Sequence, residues 1–427
     1  MARLGALGGR LVFGIGTAVV TARVLGPAEK GTLSSLLFVG ALLSYVSVLG
    51  LGDAATVLAG QRAVTLQHAL RASVAPIGLA SALTIVALIV VANIADWSGI
   101  ASAITVAAVF VVVSAFAYLL TTFLDALERL RLTAMVSVAS AAASLIATAA
   151  LVWGAGLGIF GGVVGALAGP LVAVVLLRRA LGEHELDLRP VLDRHYLRRA
   201  LPMGVGMQAT FILSSVADRA DLLLVYALAG DVEAGTYAVA LAIGQLATYT
   251  SSAVAAAIFP RLALADGDDV RALASLATRV SLVTATGSTI VLAAAMPALI
   301  AILFGPAYQG SVVPGMLLAT SGIAFGAQLT LARAAAARGL TKLYFGSFAM
   351  SVSMLIVLDV LLVPEHGSRG AAVGSIISSA MGFAYIVITA CRSGLVSMAQ
   401  LRPRLSDIQL VTRLVRDSAV GRVGDRP

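Results

Sequence analysis

Apolar residues follow one another in long blocks along nearly the whole chain, and short polar segments separate these blocks. A helix needs roughly 20 consecutive apolar residues to cross a bilayer. The pattern therefore predicts an all-α polytopic membrane protein with about twelve transmembrane helices, rather than the alternating ten-residue strands of a membrane barrel. The predicted spans are 4–25, 33–52, 72–95, 100–124, 134–154, 157–177, 203–228, 236–259, 280–303, 312–332, 341–363 and 370–391.

The composition agrees with this prediction and argues against disulfides and metal sites. The chain has 427 residues, of which 59% are hydrophobic and 12% are charged, whereas soluble proteins carry about 25% charged residues. Its single cysteine, Cys391, excludes a disulfide within the chain. The four histidines are scattered, so we expect neither a metal site nor any other cofactor.

The distribution of charge predicts the orientation of the spans. If the N-terminus is cytoplasmic, most of the 29 basic residues fall in inner segments, which follows the positive-inside rule. Both termini are then cytoplasmic, and the net charge of +8 is explained without nucleic acid as a partner. The predicted organisation is a first six-helix lobe over 1–177, a cytoplasmic linker over 178–202, a second lobe over 203–391 and a basic cytoplasmic tail over 392–427.

The two halves contain related motifs. The segment "LGPAEKGTLSSLLFVG" (25–40) aligns with "AGDVEAGTYAVALAIG" (229–244), and "GIFGGVVG" (158–165) aligns with "GSRGAAVG" (367–374). Because both halves have six spans in the same orientation, this is a parallel repeat about an axis along the membrane normal. Such folds bind their substrate between the halves. The first alignment matches Gly26, Glu29, Gly31 and Thr32 with Gly230, Glu233, Gly235 and Thr236.

Several motifs resemble one known family. "ARVLGPAEKGTL" (22–33), "GIFGGVVG" (158–165), the segment 217–240 and "LFGPAYQGS" (303–311) resemble the polysaccharide-export flippases, which are the O-antigen and capsule repeat-unit branch of the multidrug/oligosaccharidyl-lipid/polysaccharide (MOP) exporter superfamily. The resemblance implies two six-helix lobes in a V around a central cavity. It also implies a location in the bacterial cytoplasmic membrane and the transport of undecaprenyl-pyrophosphate-linked sugars to the outer leaflet.

Polar residues share one face of span 7, within an arc of about 160° on a wheel with 100° per residue. Charged residues inside a span line a cavity or a bundle interior and mark functional sites. Arg10 lies on a polar face of span 1 with Gly14, Thr17 and Thr21, and span 8 offers Gln245, Tyr249 and Ser252. The predicted substrate-binding residues are Arg10, Arg219, Asp218, Asp221, Gln208, Gln245 and Tyr249.

We expect Arg10 and Arg219 to receive the pyrophosphate, because a guanidinium is always charged and binds two phosphate oxygens at once. Asp218 or Asp221 would titrate and couple transport to H⁺ or Na⁺. A buried ion pair, such as Arg10 with Asp221, is the structural alternative. Gln328 is predicted to form an interhelical hydrogen bond, and Trp97 and Trp153 to anchor the membrane interface.

The leading functional hypothesis is therefore a flippase for lipid-linked oligosaccharides that works by alternating access. Its partners would be that substrate, membrane lipids, the coupling ion and polysaccharide assembly enzymes. A cation-coupled multidrug antiporter and a peptidoglycan-precursor flippase are the alternatives. An enzyme is not expected, because every predicted outer loop is too short to hold a catalytic domain.

Overall fold

The computed structural model describes residues 2–94, 96–182, 189–249, 251, 268–402, 404 and 407. Within these residues the chain has no strand and forms, besides a helical stretch at 246–249, eleven α-helices with described bounds. They are α1 (Ala2–Val48), α2 (Leu51–Gly60), α3 (Leu66–Ile94), α4 (Ala101–Ala126), α5 (Leu130–Thr148), α6 (Gly158–Gly182), α7 (Arg194–Ala229), α8 (Asp231–Gly244), α9 (Asp268–Leu303), α10 (Val312–Ala337) and α11 (Thr341–Arg392). Two 3₁₀ helices, Ser98–Ile100 and Pro306–Ser311, and a π-helical segment, Ala149–Gly154, connect some of them.

Eight helical stretches of the described chain are long and apolar enough to cross a membrane. The two longest, 8–60 and 341–392, each contain a glycine at which the helix breaks, so each supplies two predicted spans. The charged helix α7 and the helix α8 correspond to predicted spans 7 and 8, although most of 250–259 lies outside the described residues. The predicted all-α polytopic membrane fold is confirmed.

The helix breaks fall at equivalent positions of the predicted repeat. Gly26 breaks α1 with φ 73° and ψ 176°, and Gly230, between α7 and α8, has φ 89° and ψ 178°. Gly158 and Gly367, which open the other pair of motifs, have φ 55° and 54°. Gly26 and Gly230 combine a positive φ with an extended ψ, a conformation that essentially only glycine adopts, so glycine is needed at these two turns. The backbone thus agrees with the repeat inferred from sequence.

The two segments of the first aligned pair, 25–40 and 229–244, pack directly against each other. A Cβ added at Gly31 would lie 2.0 Å from the carbonyl oxygen of Asp231, and one added at Gly235 would lie 1.8 Å from that of Pro27. The two contacts exchange equivalent positions, as expected for elements related by a twofold axis. Glycine at both positions therefore permits a backbone-to-backbone approach that no side chain would allow.

The chain divides into two compact units, Met1–Ala238 and Val239–Pro427. In the first unit α1 packs against α3, α4, α5, α6 and α7. One apolar core of this unit surrounds the buried Phe123 and Tyr196, and a second surrounds Leu36, Leu88 and Trp97. The division at the linker 178–202 and the limits of the tail remain predictions, and residues 183–188 lie outside the described part of the chain.

In the second unit, α9, α10 and α11 pack successively. Gln328 of α10 donates from Nε2 to Ser351 Oγ of α11 at 3.0 Å, and its Oε1 accepts from the same hydroxyl at 3.2 Å. Gly382 lies against this pair, since a Cβ there would be 1.9 Å from Ser351 Oγ. The predicted interhelical hydrogen bond of Gln328 is confirmed.

Candidate functional site

The polar face of the first span is formed by α1 and becomes more buried along its length. Arg10 is exposed, and no described residue forms an ion pair with it. Beside Gly14 there is open space, because a Cβ built there meets no atom within 4 Å. Thr17 is half-buried and Thr21 is only 2% exposed. The face thus runs from a solvated arginine to a buried threonine just before the break at Gly26.

On α7 the structure places Asp218 and Arg219 together. Arg219 Nε lies 3.6 Å from Asp218 Oδ2, and the side chains are 45% and 33% exposed. Arg219 therefore has an acidic neighbour on its own helix. Both side chains remain partly exposed, which leaves the guanidinium of Arg219 accessible beside its acidic neighbour.

Asp221 has a different environment from Asp218. It is 2% exposed, and its Oδ2 accepts a short hydrogen bond from the Tyr237 hydroxyl of α8. The Arg10–Asp221 ion pair that we considered as the structural alternative is not formed, because Arg10 is solvent-exposed while Asp221 is held between α7 and α8. Asp221 thus links two consecutive helices.

Gln208 links α7 to the end of α1. It is 2% exposed, and its Nε2 donates to the carbonyl oxygen of Tyr45 at 2.9 Å, while its buried Oε1 has no hydrogen-bond partner among the described residues. The Tyr45 ring stacks edge-on against Phe211 at a centroid distance of 5.0 Å and lies 6.1 Å from Tyr118. These partly exposed rings form one aromatic cluster between three helices, α1, α4 and α7.

Tyr226 and Trp97 form a hydrogen-bonded aromatic pair inside the first unit. Trp97 Nε1 donates to the Tyr226 hydroxyl at 2.8 Å, and Thr32 Oγ1 lies 3.5 Å from the same oxygen. Trp97 is only 3% exposed, so its predicted role as an interface anchor was wrong. The indole fills the core because its N–H finds a partner there. Trp153, in contrast, is 74% exposed, as an anchor would be.

The remaining predicted residues, Gln245 and Tyr249, belong to the second unit, where Gln245 is buried and Tyr249 is half-buried. Ser252, which continues their face, lies outside the described residues. No group of three or more histidine, cysteine or acidic side chains suited to a metal ion occurs in the part of the chain that the structure describes.

Sequence reasoning missed Tyr237 and Lys30. Tyr237 had no charge or spacing that distinguished it from other aromatic residues, although it directly follows the repeated "GT" motif. Lys30 was placed in an outer loop, whereas its side chain is buried and its Nζ donates to Thr21 Oγ1 at 2.9 Å. The break at Gly26 lets the lysine fold back onto the polar face of α1, and sequence periodicity cannot show such a reversal.

Comparison with known proteins identifies the family. The sequence profile described as "Polysaccharide biosynthesis protein" matches residues 20–313, which is most of the chain. The chain belongs to this family. No protein with a curated description matches it.

Solved structures show the same fold across nearly the full length. A structure titled lipid II flippase MurJ, in an inward closed conformation, aligns with a TM-score of 0.70 at 13% identity, covering 100% of this chain and 93% of the other. An inward-facing multidrug resistance MATE family transporter of the MOP superfamily aligns with 0.68 at 15% identity, covering 90% and 95%. A MOP superfamily transporter from Pyrococcus furiosus aligns with 0.63 at 13% identity, covering 92% and 94%. The chain therefore has the MOP superfamily fold.

Proposed function

We propose that this family member is a flippase that carries undecaprenyl-pyrophosphate-linked oligosaccharide repeat units across the bacterial cytoplasmic membrane by alternating access. The supplied units would be polymerised into a surface polysaccharide by separate assembly enzymes. In this proposal both termini are cytoplasmic, the chain is not an enzyme and it needs no cofactor. Membrane lipids surround it, and H⁺ or Na⁺ is the candidate coupling ion.

The observation that carries the proposal is the combination of family and fold. A polysaccharide biosynthesis protein with the fold of MOP transporters can contribute to polymer synthesis by moving an intermediate across the membrane. The similarity to a protein titled lipid II flippase supports a lipid-linked sugar as cargo. Such cargo has a phosphate-containing headgroup, a sugar and a polyprenyl chain.

The described residues suit each part of this cargo. Arg10 and Arg219 are exposed guanidinium groups in apolar helices and would bind the pyrophosphate. Gln208 and the half-buried Tyr249 and buried Gln245 would contact sugar hydroxyls. Asp218 would release Arg219 when the anion arrives. Asp221, which is hydrogen-bonded to Tyr237, would bind and release the coupling ion more slowly.

Depletion of the protein from its host tests the proposal. We expect one undecaprenyl-linked intermediate to accumulate on the inner leaflet while a surface polymer is lost. Complementation with Arg219→Ala should fail although the variant is inserted and folded, and Arg219→Lys separates a need for charge from a need for bidentate binding. Normal transport by Arg219→Ala would exclude this residue as the anion site.

The same experiment distinguishes the alternatives. Accumulation of the peptidoglycan precursor would identify the chain as a flippase for that lipid. An unchanged lipid-linked pool together with sensitivity to cationic drugs would favour a cation-coupled antiporter, for which the MATE fold and the acidic residues of α7 are the supporting observations.

A further inference from the structure

Lys30 is a buried cation that the site described above does not include. It follows the break at Gly26 by four residues and is only 9% exposed. Its Nζ donates to Thr21 Oγ1 at 2.9 Å, so the side chain crosses back over the break. The ammonium thereby extends the polar face that begins at Arg10.

No carboxylate of the described residues forms an ion pair with Lys30. Thr21 is neutral, and its hydroxyl donates its own hydrogen to the carbonyl oxygen of Thr17 at 2.8 Å. The adjacent acid, Glu29, is exposed, and its Oε2 lies beside Gly158. The lysine charge is therefore removed from water without a described counter-charge, which is a costly arrangement.

The ammonium also has unused hydrogen-bonding capacity. A lysine ammonium offers three donors, and Thr21 is the single side-chain partner of Lys30 in the described part of the chain. A ligand with several anionic oxygens would satisfy both the charge and these donors. Ionisable residues within membrane proteins commonly mark the pathway of a substrate or an ion.

The choice of lysine at this position is specific to the first half. Lys30 and Lys342 are the only lysines in the sequence, in which arginine supplies the other basic residues. Ala234 occupies the position of Lys30 in the second copy of the motif. The backbone contact at Gly31 and Gly235 forms with either residue, so packing of the repeat does not require the lysine.

We infer that Lys30 and Thr21 form a second anion-binding site, which contacts phosphate oxygens of the transported lipid. The identity of the anion rests on the proposed function. At 1.5 Å of rise per residue, Thr21 lies about 16 Å from Arg10 along α1. This distance is too great for one pyrophosphate to contact both, so the two sites act in succession. Lysine suits such a site because its ammonium binds phosphate oxygens as a point charge.

Binding of inorganic pyrophosphate to the full-length protein in detergent, measured by calorimetry, tests the inference. In an Arg10→Ala/Arg219→Ala background, which removes the first proposed anion site, Lys30→Met should weaken binding about tenfold or more, because it removes a hydrogen bond to a charged group. Lys30→Arg should retain part of the affinity. Lys342→Met removes the other lysine, which is exposed, and should leave the affinity of this background unchanged.

An unchanged affinity when Lys30→Met is added to this background would overturn the inference, and so would a background or wild-type protein that does not bind pyrophosphate. If Lys30→Met unfolds at a lower temperature than the wild type, Lys30→Gln is used instead, because it retains a hydrogen-bond donor for Thr21. Translocation of a lipid-linked oligosaccharide in proteoliposomes separates this inference from the proposed function. If the wild type binds pyrophosphate through Lys30 but moves no lipid, the proposed function fails and the anion site stands. If Lys30→Met leaves pyrophosphate binding in that background unchanged and, as a single variant, transports the lipid normally, the anion site fails and the proposed function stands.

Discussion

The segment after α6 and the segment after α11 both return to the start of an earlier helix, where an arginine binds the backbone in each unit but a nearby carboxylate has a different partner. In the first unit Arg71 of α3 donates from Nε to the carbonyl oxygen of Arg189 at 3.0 Å. In the second, Arg271 of α9 donates from Nε to that of Gly394 at 2.7 Å. An arginine near the start of a helix thus forms the same kind of contact to the backbone in each unit.

The carboxylates near these contacts differ. Asp193 Oδ2 lies 2.7 Å from His68 Nε2, and the two side chains are 29% and 40% exposed. Asp407 Oδ2 lies 2.9 Å from Arg279 Nε, and these side chains are 3% and 10% exposed. Histidine changes its charge near neutral pH, whereas arginine stays charged. The two units therefore share a backbone contact, while the ion pair near it is buried in the second unit and partly exposed in the first.

The largest expected effect is the loss of the buried pair. Arg279→Met leaves Asp407 buried without its partner and removes the hydrogen bond from Arg279 to the carbonyl oxygen of Gln400. Breaking a buried ion pair from one side costs about 3–5 kcal/mol, to be measured by unfolding of the protein in detergent. The double variant Arg279→Met with Asp407→Leu should recover most of the loss, since apolar replacements of both partners pack well. A single variant as stable as the wild type would refute the role of this pair.

Removal of the arginine hydrogen bond to the backbone should lower the free energy of unfolding by less, and by a similar amount in the two units. Arg71→Ala and Arg271→Ala each remove a hydrogen bond to a backbone carbonyl and should each lower the free energy of unfolding by about 1 kcal/mol. Unfolding of both variants in the same detergent provides the comparison. Clearly unequal losses would show that the two contacts are not equivalent, despite their similar geometry.

At neutral pH the exposed pair should contribute least. Asp193 caps α7 by accepting from the backbone N–H groups of His195 at 2.8 Å and Tyr196 at 3.0 Å. Asp193→Ala should destabilise the protein less than Arg279→Met, because water replaces the lost contacts of an exposed side chain. Asp193→Asn retains a capping oxygen and should lose less than Asp193→Ala in the same unfolding assay. Equal losses for the two would assign the effect to the charge near His68 instead of the cap.

The exposed pair should, however, respond to acid. Hydrogen bonds from the backbone N–H of Tyr196 and from His68 hold the pKa of Asp193 below its ordinary value. A carboxylate with a lowered pKa stabilises the folded state above its unfolded-state pKa, about 3.9 for aspartate, and this contribution disappears as the pH falls through the folded-state pKa. Wild-type stability should therefore drop below about pH 4. Asp193→Asn should show a smaller drop, and an identical pH profile would contradict the assignment.

The buried carboxylate of the second unit, Asp407, should respond to acid in the same direction. Burial raises the pKa of Asp407, but hydrogen bonds from Arg279 and from the Arg404 backbone N–H outweigh this and lower it overall. The carboxylate of Asp407 thus also loses its contribution only in acid. Comparing Asp193→Asn with the Arg279→Met/Asp407→Leu variant across pH assigns the acid sensitivity to one unit or to both.

Much of the candidate site was visible in the sequence, because a charge in an apolar block is conspicuous. Arg10, Asp218, Arg219 and Asp221 were found in this way, and each lies where its helix was predicted. Their individual environments were not predictable. Asp218 and Asp221 are three residues apart on one helix, yet one is partly exposed beside Arg219 and the other is buried against Tyr237. Asp221 is the one of the two that Tyr237 of α8 contacts, and the sequence of α7 alone does not contain that information.

By itself, the sequence determined that the chain is a bundle of membrane-spanning helices, that its halves are related, and where the helices break. These properties follow from apolar block length and from glycines that adopt positive φ, both of which are local. The tertiary structure decided which polar groups contact one another. It buried Trp97 in a core, paired Asp221 with Tyr237 and folded Lys30 back onto Thr21. Such contacts depend on the distance between helices, and a linear pattern of polar and apolar residues contains no information about that distance.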